Sequence, residues 1–412
     1  MYFHHSGKTQ ELIEKLSSFM DEFIYPNEST YASQVSEFRE KGNPWQTVPI
    51  VEELKKIAKE KGLWNFFLPT SEYGYGLTNL EYAPLAEIMG RVGWSSEVFN
   101  CSAPDTGNME VLERYGSEEQ KDKWLKPLLE GEIRSCFAMT EPEVAGSDPT
   151  LIKTTAYQDG DEWVVNGHKW FISGARGAKF ALLVARTEDD PEIPQAANSC
   201  FIVDLPSDGW EVVRDVQTMS GGHNHCEIRI TDLRVPAANM LGGPGQGHLL
   251  GQYRLGPARL AHCMRWIGQA ETALDMMVSR SMERYSHGSL LAEKQGIQWL
   301  IADSAVELYQ CKLMVLHAAY QIEQQMDFTA VVSMAKHFVA NSLWRIIDRA
   351  IQVHGALGYS TDTPLAHMLQ QARWARFADG ADEIHQMRIA QRTIAAFNDS
   401  GTTRAATGNL PL

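Results

Sequence analysis

Between residues 376 and 385 the chain reads RFADGADEIH, with three carboxylates, Asp379, Asp382 and Glu383, set around Gly380 in an otherwise apolar and basic neighbourhood. Such a stretch serves either as a solvated turn between two helices or as the seat of a carboxylate base aimed at a substrate. Acids in the first turn of a helix complement the positive end of its dipole, and that reading suits Asp382 and Glu383.

Four other stretches carry groups that could meet a ligand. SCFAMTEPEVAGSDPT, residues 135–150, offers the Thr140 and Ser147 hydroxyls beside Gly146, whose backbone can approach a polar edge or a phosphate; it also reads as an ordinary Pro/Gly loop. In NGHKWFISGA, residues 166–175, Trp170 and Phe171 alternate across a strand and Ser173 precedes a glycine. These are core aromatics, or a flat wall for an aromatic cofactor with a hydroxyl at its rim. MERYSHGSLLAEKQ sets Arg284 and Gln295 on either side of a break at Gly288, as a surface pair or as a cation and an amide for a ligand. RAIQVHGALGYS ends a helix at Gly355, so Gln352, Val353, Gly355 and Ala356 form either a C-cap or a backbone surface close to a cofactor. His223 and His225 of HNHC match no standard metal-ligand spacing and read as an exposed strand or loop.

The elements that must position these groups follow from periodicity. Up to residue 130, apolar positions recur at three and four in ELIEKLSSFMDEFI and VEELKKIAKEKGLW, and SEEQ at Ser117 has capping-box spacing. From 131 to 245 the period becomes two. Asp-Gly and Asn-Gly pairs predict successive hairpins, and FALLVAR, SCFIVDL, WEVVRDV and CEIRITDLRVP continue as strands of a compact antiparallel barrel. From 246 to 412 the helical period returns in four long amphipathic segments, predicting an antiparallel four-helix bundle. The predicted fold is therefore mainly α, with helical, β and helical domains in that order. Junctions between domains are common places for a cofactor.

Bulk properties narrow the function. A chain of 412 residues with 11 Trp can bury a large core. The net charge of -15 disfavours polyanionic partners, so nucleic acid is not expected. Six scattered cysteines without C-x-x-C predict reduced, buried thiols rather than staples or a zinc site. Neither a signal-like start nor a membrane-length apolar run is present, which predicts a soluble cytoplasmic protein.

In this order, AMTEPEVAGSD, NGHKWFISGA, ERYSHGSLLAEKQ, QVHGALGYS and ADGADEIHQMRIAQRTI resemble the acyl-CoA dehydrogenase family of flavoproteins over nearly the whole chain. GPARLAHCMR and FADGADEIH look closest to the branch of animal family members ten and eleven and their bacterial relatives. The resemblance implies FAD, a homotetramer or homodimer, and oxidation of an acyl-CoA to its trans-2-enoyl-CoA in fatty acid β-oxidation, with an electron-transfer flavoprotein as acceptor. A same-fold flavin oxidase, such as a nitroalkane oxidase with an Asp base, is the alternative, as is a DNA-damage-response flavoprotein, which the acidic balance disfavours.

Carried over by position, the segment Phe137 to Thr140, Met139 included, would contact the flavin ring. Gly146 and Ser147 would lie near the cofactor phosphates and the thioester. Phe171 stands where the family usually has a Trp over one flavin face, and Ser173 where a hydroxyl reaches N5. Arg284, Gln295 and the segment Gln352 to Ala356 would reach the FAD of a neighbouring subunit, and Arg259 matches an Arg near the substrate. Asp379 falls where many members carry a catalytic Glu, and Gly380 would let the backbone approach the thioester. Asp is one methylene shorter than Glu, and a misplacement of about 1 Å can cost about a hundredfold in rate. The pocket must therefore be built for the shorter base.

Overall fold

The computed structural model describes residues 5–68, 71–188, 192–221, 224–404 and 406. The longer helices are α1 (Gly7–Phe19), α2 (Glu28–Glu40), α3 (Pro49–Glu60), α4 (Asn79–Gly90), α5 (Asp105–Tyr115), α6 (Gly247–Glu283), α7 (Gln295–Glu323), α8 (Thr329–His354), α9 (Leu365–Trp374) and α10 (Asp382–Ser400). The strands are β1 (Ser135–Ala138), β2 (Thr155–Asp159), β3 (Glu162–Ser173), β4 (Phe180–Arg186), β5 (Asn198–Asp204), β6 (Trp210–Asp215), β7 (His225–Pro236) and β8 (Met240–Leu241). A two-stranded ribbon, β9 (Tyr285–Ser286) and β10 (Ser289–Leu290), follows α6.

Two compact units share these elements. A sheet unit comprises residues 27–76 and 97–258, and a helical unit comprises residues 1–26, 77–96 and 259–412.

In the sheet unit, strands run in the order β6-β7-β3-β2-β4-β5-β8, with β1 beside β4. Six of the seven residues of β4 are buried, which is why FALLVAR reads as an unbroken apolar run rather than an alternating one. Its inner face packs with Cys136, Val165, Ile172, Phe201 and Ile228. Three expectations change here. The sheet is mixed, because β1 and β2 both run parallel to β4. It is open, because among the described residues the end strands β6 and β8 do not pair, so no barrel closes. Finally, Asp-Gly makes a two-residue turn at Gly160 (φ 63°), but Asn-Gly does not. Asn166 and Gly167 lie inside the continuous strand β3, at a register shift against β7. A Cβ on Gly167 would come within 2.2 Å of Thr154 Oγ1, so this glycine serves close packing and not a turn.

The predicted capping box is present at Ser117. Its hydroxyl accepts from Gln120 N (3.2 Å) while Gln120 Oε1 accepts from Ser117 N (3.1 Å). Gln120 Nε2 also donates to the carbonyls of Ala238 and Met240, tying this helix start to the end of the sheet.

The helical unit contains α6 from Arg259 onward together with the long helices α7, α8 and α10. α8 packs against α7, α9 and α10, and α4 packs against α1 and α7, so more than four helices make the layer. Two glycines let α4 and α6 cross in close contact. A Cβ on Gly90 would sit 2.2 Å from the Arg265 carbonyl oxygen, and one on Gly268 would sit 2.0 Å from that of Glu87. This crossing sets the axial position of α6, which carries Arg259. All six cysteines are buried and unbridged. Among the described residues no helix is long and apolar enough to cross a membrane.

Gly268→Ala forces a methyl into a backbone carbonyl that cannot rotate away. Overpacking of this kind costs about 1–3 kcal/mol, so the variant should melt several degrees below the parent in a thermal scan. An unchanged melting temperature would show that the crossing is looser than described.

Candidate functional site

Two groups of residues, one in each unit, gather the side chains that could do chemistry. In the sheet unit the chain leaves β1 at Ala138 and passes through Met139, Thr140 and Glu141 into the loop that leads to β2. Glu141 is buried, and its carboxylate accepts from Lys153 N (2.7 Å), Thr154 N (2.9 Å) and Lys169 Nζ (2.9 Å). Lys169, on β3, is fully buried and also donates to Met139 O (2.9 Å). Burial pushes its ammonium down to about 8 against the pull of Glu141. Burial alone would raise the Glu141 carboxyl, but Lys169 and the Thr154 and Lys153 hydrogen bonds hold it below the usual carboxylate range. Trp170 N donates to Thr140 O (3.0 Å), which completes a seam between loop and strand.

That seam brings two predicted sets of residues together. Thr140, Gly146 and Ser147 are exposed, and Met139 is half-buried. Met139, Thr140, Val144, Gly146, Asp148 and Ile152 line a shallow, partly open dimple beside this seam. A Cβ on Gly146 would lie 3.1 Å from Thr140 Cγ2, a tight contact that the exposed Thr140 side chain would have to relieve. The second register shift of β3, between Lys169 and Ile172, holds Phe171 at φ 54° and leaves the residue 42% exposed. Trp170 meets its ring edge-on at 4.9 Å. Phe137 lies under the Arg254 guanidinium at 4.2 Å, and Arg254 Nε is held by Asn108 Oδ1 (2.8 Å). Ser173 is not a lone hydroxyl, since its Oγ lies 2.9 Å from His225 Nδ1 across the β3–β7 ladder. His225 is half-buried, not exposed as its sequence suggested, and burial lowers its imidazole. His223 lies outside the described residues.

In the helical unit, Asp379 adopts φ 52° and Gly380 φ 112° between α9 and α10. Two cations hold this turn by its carbonyls: Arg259 Nε donates to Asp379 O (2.7 Å) and Lys336 Nζ to Gly380 O (2.6 Å). Burial lowers both cations, opposed for Arg259 by the Asp379 charge and for Lys336 by Asp382. The Asp379 carboxylate lies 3.2 Å from His262 Nε2, one turn along α6 from Arg259. A Cβ on Gly380 would meet His385 Nε2 at 2.9 Å, so a side chain is excluded by space as well as by φ. His385 itself is buried, and neither ring nitrogen has a hydrogen-bond partner among the described residues. Burial, reinforced by Lys336, Arg259 and Arg388, pushes its imidazole down to about 3.

Asp382 and Glu383 occupy the first turn of α10, as the dipole reading requires. Asp382 does more than that: it is buried and accepts from Arg376 Nε (2.8 Å) and Asn341 Nδ2 (3.0 Å). Arg284 and Gln295, both exposed, flank the β9–β10 ribbon, which is closed by Leu291 N donating to Arg284 O (2.8 Å). Gly355 terminates α8 at φ 64°, with Gln352 and Ala356 exposed and Val353 buried. A Cβ at Gly355 would meet nothing within 4 Å, so backbone conformation rather than space demands glycine there.

Sequence reasoning passed over His262, Lys336, His385, Glu141 and Lys169. One signal was available for Lys169, a lysine in an alternating strand at an inward position, which requires a buried acid as partner. His262 was legible as the residue one turn from Arg259. Nothing local marks Lys336.

Family models described as the acyl-CoA dehydrogenase N-terminal, middle and C-terminal domains match residues 7–132, 136–233 and 245–394. The mouse protein "Acyl-CoA dehydrogenase family member 10" is 45% identical over 94% of this chain, which spans 37% of that longer protein. The Mycobacterium tuberculosis protein "Probable acyl-CoA dehydrogenase FadE2" is 43% identical, over 96% of this chain and 97% of its own length. A solved chain described as "Structure of a putative acyl-CoA dehydrogenase from Mycobacterium abscessus" superimposes with a TM-score of 0.92 at 40% identity, covering 96% of this chain and 100% of that one.

Two outcomes follow from the buried groups. Lys169→Met strands the Glu141 carboxylate, and breaking a buried pair costs about 3–5 kcal/mol, so the melting temperature should drop sharply while Lys169→Met with Glu141→Gln recovers part of it. For His385 the folded-state value lies below the unfolded one of about 6.5, so below that pH the unfolded chain binds a proton that the folded chain refuses. Stability should fall as pH drops from about 6.5 towards 3, and His385→Leu should remove up to about 1.4 kcal/mol per pH unit of that slope in urea titrations.

Proposed function

The chain belongs to the acyl-CoA dehydrogenase family, and from that premise we propose that it is an FAD-dependent enzyme that oxidises an acyl-CoA thioester to the trans-2-enoyl-CoA. The observation that carries this reading is the Asp379–Gly380 turn. There, Arg259 anchors the backbone of a carboxylate whose side chain is met by His262, beside a glycine at φ 112°.

The residues present suit FAD. The exposed Phe171 ring offers a flat apolar surface, Thr140 and Ser173 carry hydroxyls along the same seam, and Gly146 keeps its own part of the loop bare. Met139 and Phe137 extend that surface, and Ser147 adds a hydroxyl for a phosphate or the thioester. Arg284 and Gln295 supply a cation and an amide suited to a pyrophosphate, with Gln352, Val353, Gly355 and Ala356 as a second backbone surface for a neighbouring subunit's cofactor. When bound, FAD takes up the β-hydrogen with its electron pair, a redox capacity that the side chains lack.

The protein's own part is proton abstraction and orientation. The Asp379 carboxylate removes the α-proton as the C–H electron pair moves into the new Cα=Cβ bond and the β-hydrogen departs as hydride. The backbone N–H at the turn donates to the thioester oxygen, which stabilises enolate character as the α-carbon loses its proton. Gly380 keeps that approach clear of a side chain, and Arg259 engages the Asp379 carbonyl, which fixes the backbone of the turn. The reduced enzyme passes two electrons to an electron-transfer flavoprotein, and the chain works as a homodimer or homotetramer.

Anaerobic titration of the yellow protein with acyl-CoAs of increasing length tests the reading by flavin bleaching. Asp379→Asn should keep the yellow colour and lose about 10²–10⁴-fold in bleaching rate, the range of a general base. Bleaching within about tenfold of the parent would remove Asp379 as the base. Rapid turnover with O₂ and no need for CoA would overturn the dehydrogenase assignment itself.

A further inference from the structure

Asp379 is one methylene shorter than Glu and therefore sweeps a smaller arc, yet it must present an oxygen to a carbon with little tolerance for error. Its backbone is fixed by Arg259, but a carboxylate on a fixed backbone still rotates about χ1 and χ2. A second restraint acts on the side chain. His262 Nε2 lies 3.2 Å from Asp379 Oδ2, and both side chains are mostly buried, 12% and 22% exposed.

The protonation of this histidine can be read from its other nitrogen. Arg265 Nη2 lies 3.1 Å from His262 Nδ1, and a guanidinium can only donate, so Nδ1 is the acceptor and Nε2 carries the hydrogen. The ring is locked against rotation by aromatic neighbours on two elements. It stacks on Trp266 of α6 at 5.4 Å and 19°, and meets Trp374 of α9 at 5.4 Å and 75°. Trp266 and Trp374 also touch one another edge-on at 6.0 Å. An imidazole with a defined tautomer in a fixed aromatic slot, donating to one carboxylate oxygen, is a device for holding that carboxylate.

We propose that His262 is a positioning residue for Asp379: its neutral Nε2–H holds Oδ2 and so fixes the orientation of the carboxylate that receives the substrate's α-proton. The role rests on Asp379 being the base. It compensates for the short side chain by restricting rotation instead of adding reach. It also has an electrostatic consequence, because a donor to the charged carboxylate favours the ionised form and keeps the base available at lower pH. Among the described groups, Arg259, Cys263 and Lys336 interact electrostatically with Asp379, and Arg265 faces His262 at Nδ1.

The test uses full-length protein with FAD bound and two substitutions. His262→Phe keeps a ring between Trp266 and Trp374 but deletes the donor, while His262→Gln restores an amide N–H near the position of Nε2. Rapid anaerobic mixing with the straight-chain acyl-CoA that bleaches the parent flavin fastest should show His262→Phe slowed about 10–100-fold at saturation. The concentration for half-saturation should change by less than about threefold, because a positioning residue acts on the step and not on thioester binding. The acid limb of the rate–pH profile should move to higher pH in His262→Phe, and His262→Gln should recover most of both effects. Equal saturating rates for His262→Phe and the parent, with superimposed pH profiles, would overturn the proposal; so would a loss that His262→Gln leaves untouched.

If no acyl-CoA bleaches the parent flavin, the dehydrogenase reading fails, and ¹⁵N spectra of histidine-labelled protein still decide the interaction. The His262 signals should show the neutral Nε2–H tautomer and shift in Asp379→Asn. An Nδ1–H tautomer, or signals indifferent to Asp379→Asn, would sink the proposed contact.

Discussion

The carbonyls of Asp379 and Gly380 are each held by a cation from a long helix, Arg259 of α6 and Lys336 of α8, and that pair of hydrogen bonds ties the turn between α9 and α10 to both helices. Lys336 is fully buried, so its ammonium must find acceptors or pay a large desolvation cost, and the turn supplies one. The turn in turn needs unusual backbone: Asp379 at φ 52°, which an aspartate tolerates better than most residues, and Gly380 at φ 112°, where a side chain would strike His385. Each part therefore constrains the next. The axial setting of α6, fixed by the glycine crossing with α4, determines where Arg259 and His262 lie, and those two residues determine where the Asp379 carboxylate lies.

The sheet unit solves a similar problem with one buried ion pair. Of the apolar residues in the loop after β1 only Ile152 is buried, and Glu141 anchors the loop by accepting from two of its own backbone amides and from Lys169 of β3. Because Lys169 also takes up the Met139 carbonyl, and Trp170 the Thr140 oxygen, the loop becomes an extra edge of the strand next to it. Exposed Thr140, Gly146 and Ser147 are then displayed on a rigid base, and a rigid base is what binding loops require. The bulge that follows Lys169 turns Phe171 outward, so a single strand holds the buried ammonium on one side and displays the aromatic ring on the other.

Patterns that depend on near neighbours were readable in the chain. The capping box at Ser117, the Asp-Gly turn at Gly160, the helix end at Gly355 and the helix-start acids Asp382 and Glu383 each rest on a few consecutive residues, and each is present. Asn166-Gly167 shows how the same logic fails. The dipeptide permits a turn, but the space beside Thr154 and the pairing with β7 claim it for a bulged strand. Closure of a barrel likewise depends on strand ends that no local pattern encodes, and strands β1 and β2 beside β4 produced an open mixed sheet instead. The compact units also interleave stretches from both sides of residues 130 and 245, because packing follows contacts in space while periodicity follows neighbours along the chain.

By itself, then, the amino-acid order determined local signals such as the Ser117 capping box and the Asp-Gly turn, which positions lack a side chain, and which residues carry a carboxylate, a hydroxyl or an aromatic ring near a glycine. Those are properties of short-range sterics and hydrogen bonding, and they are complete within a few residues. Tertiary structure alone decided what each group touches. Ser173 meets His225 from a strand 52 residues away, Asp379 meets His262 from a helix more than a hundred residues earlier, and Lys336 of α8 reaches Gly380 just before α10 begins. Charge and hydrogen-bond state follow from those distant partners through burial and proximity, so the surroundings of each carboxylate in RFADGADEIH were set only when the chain had folded.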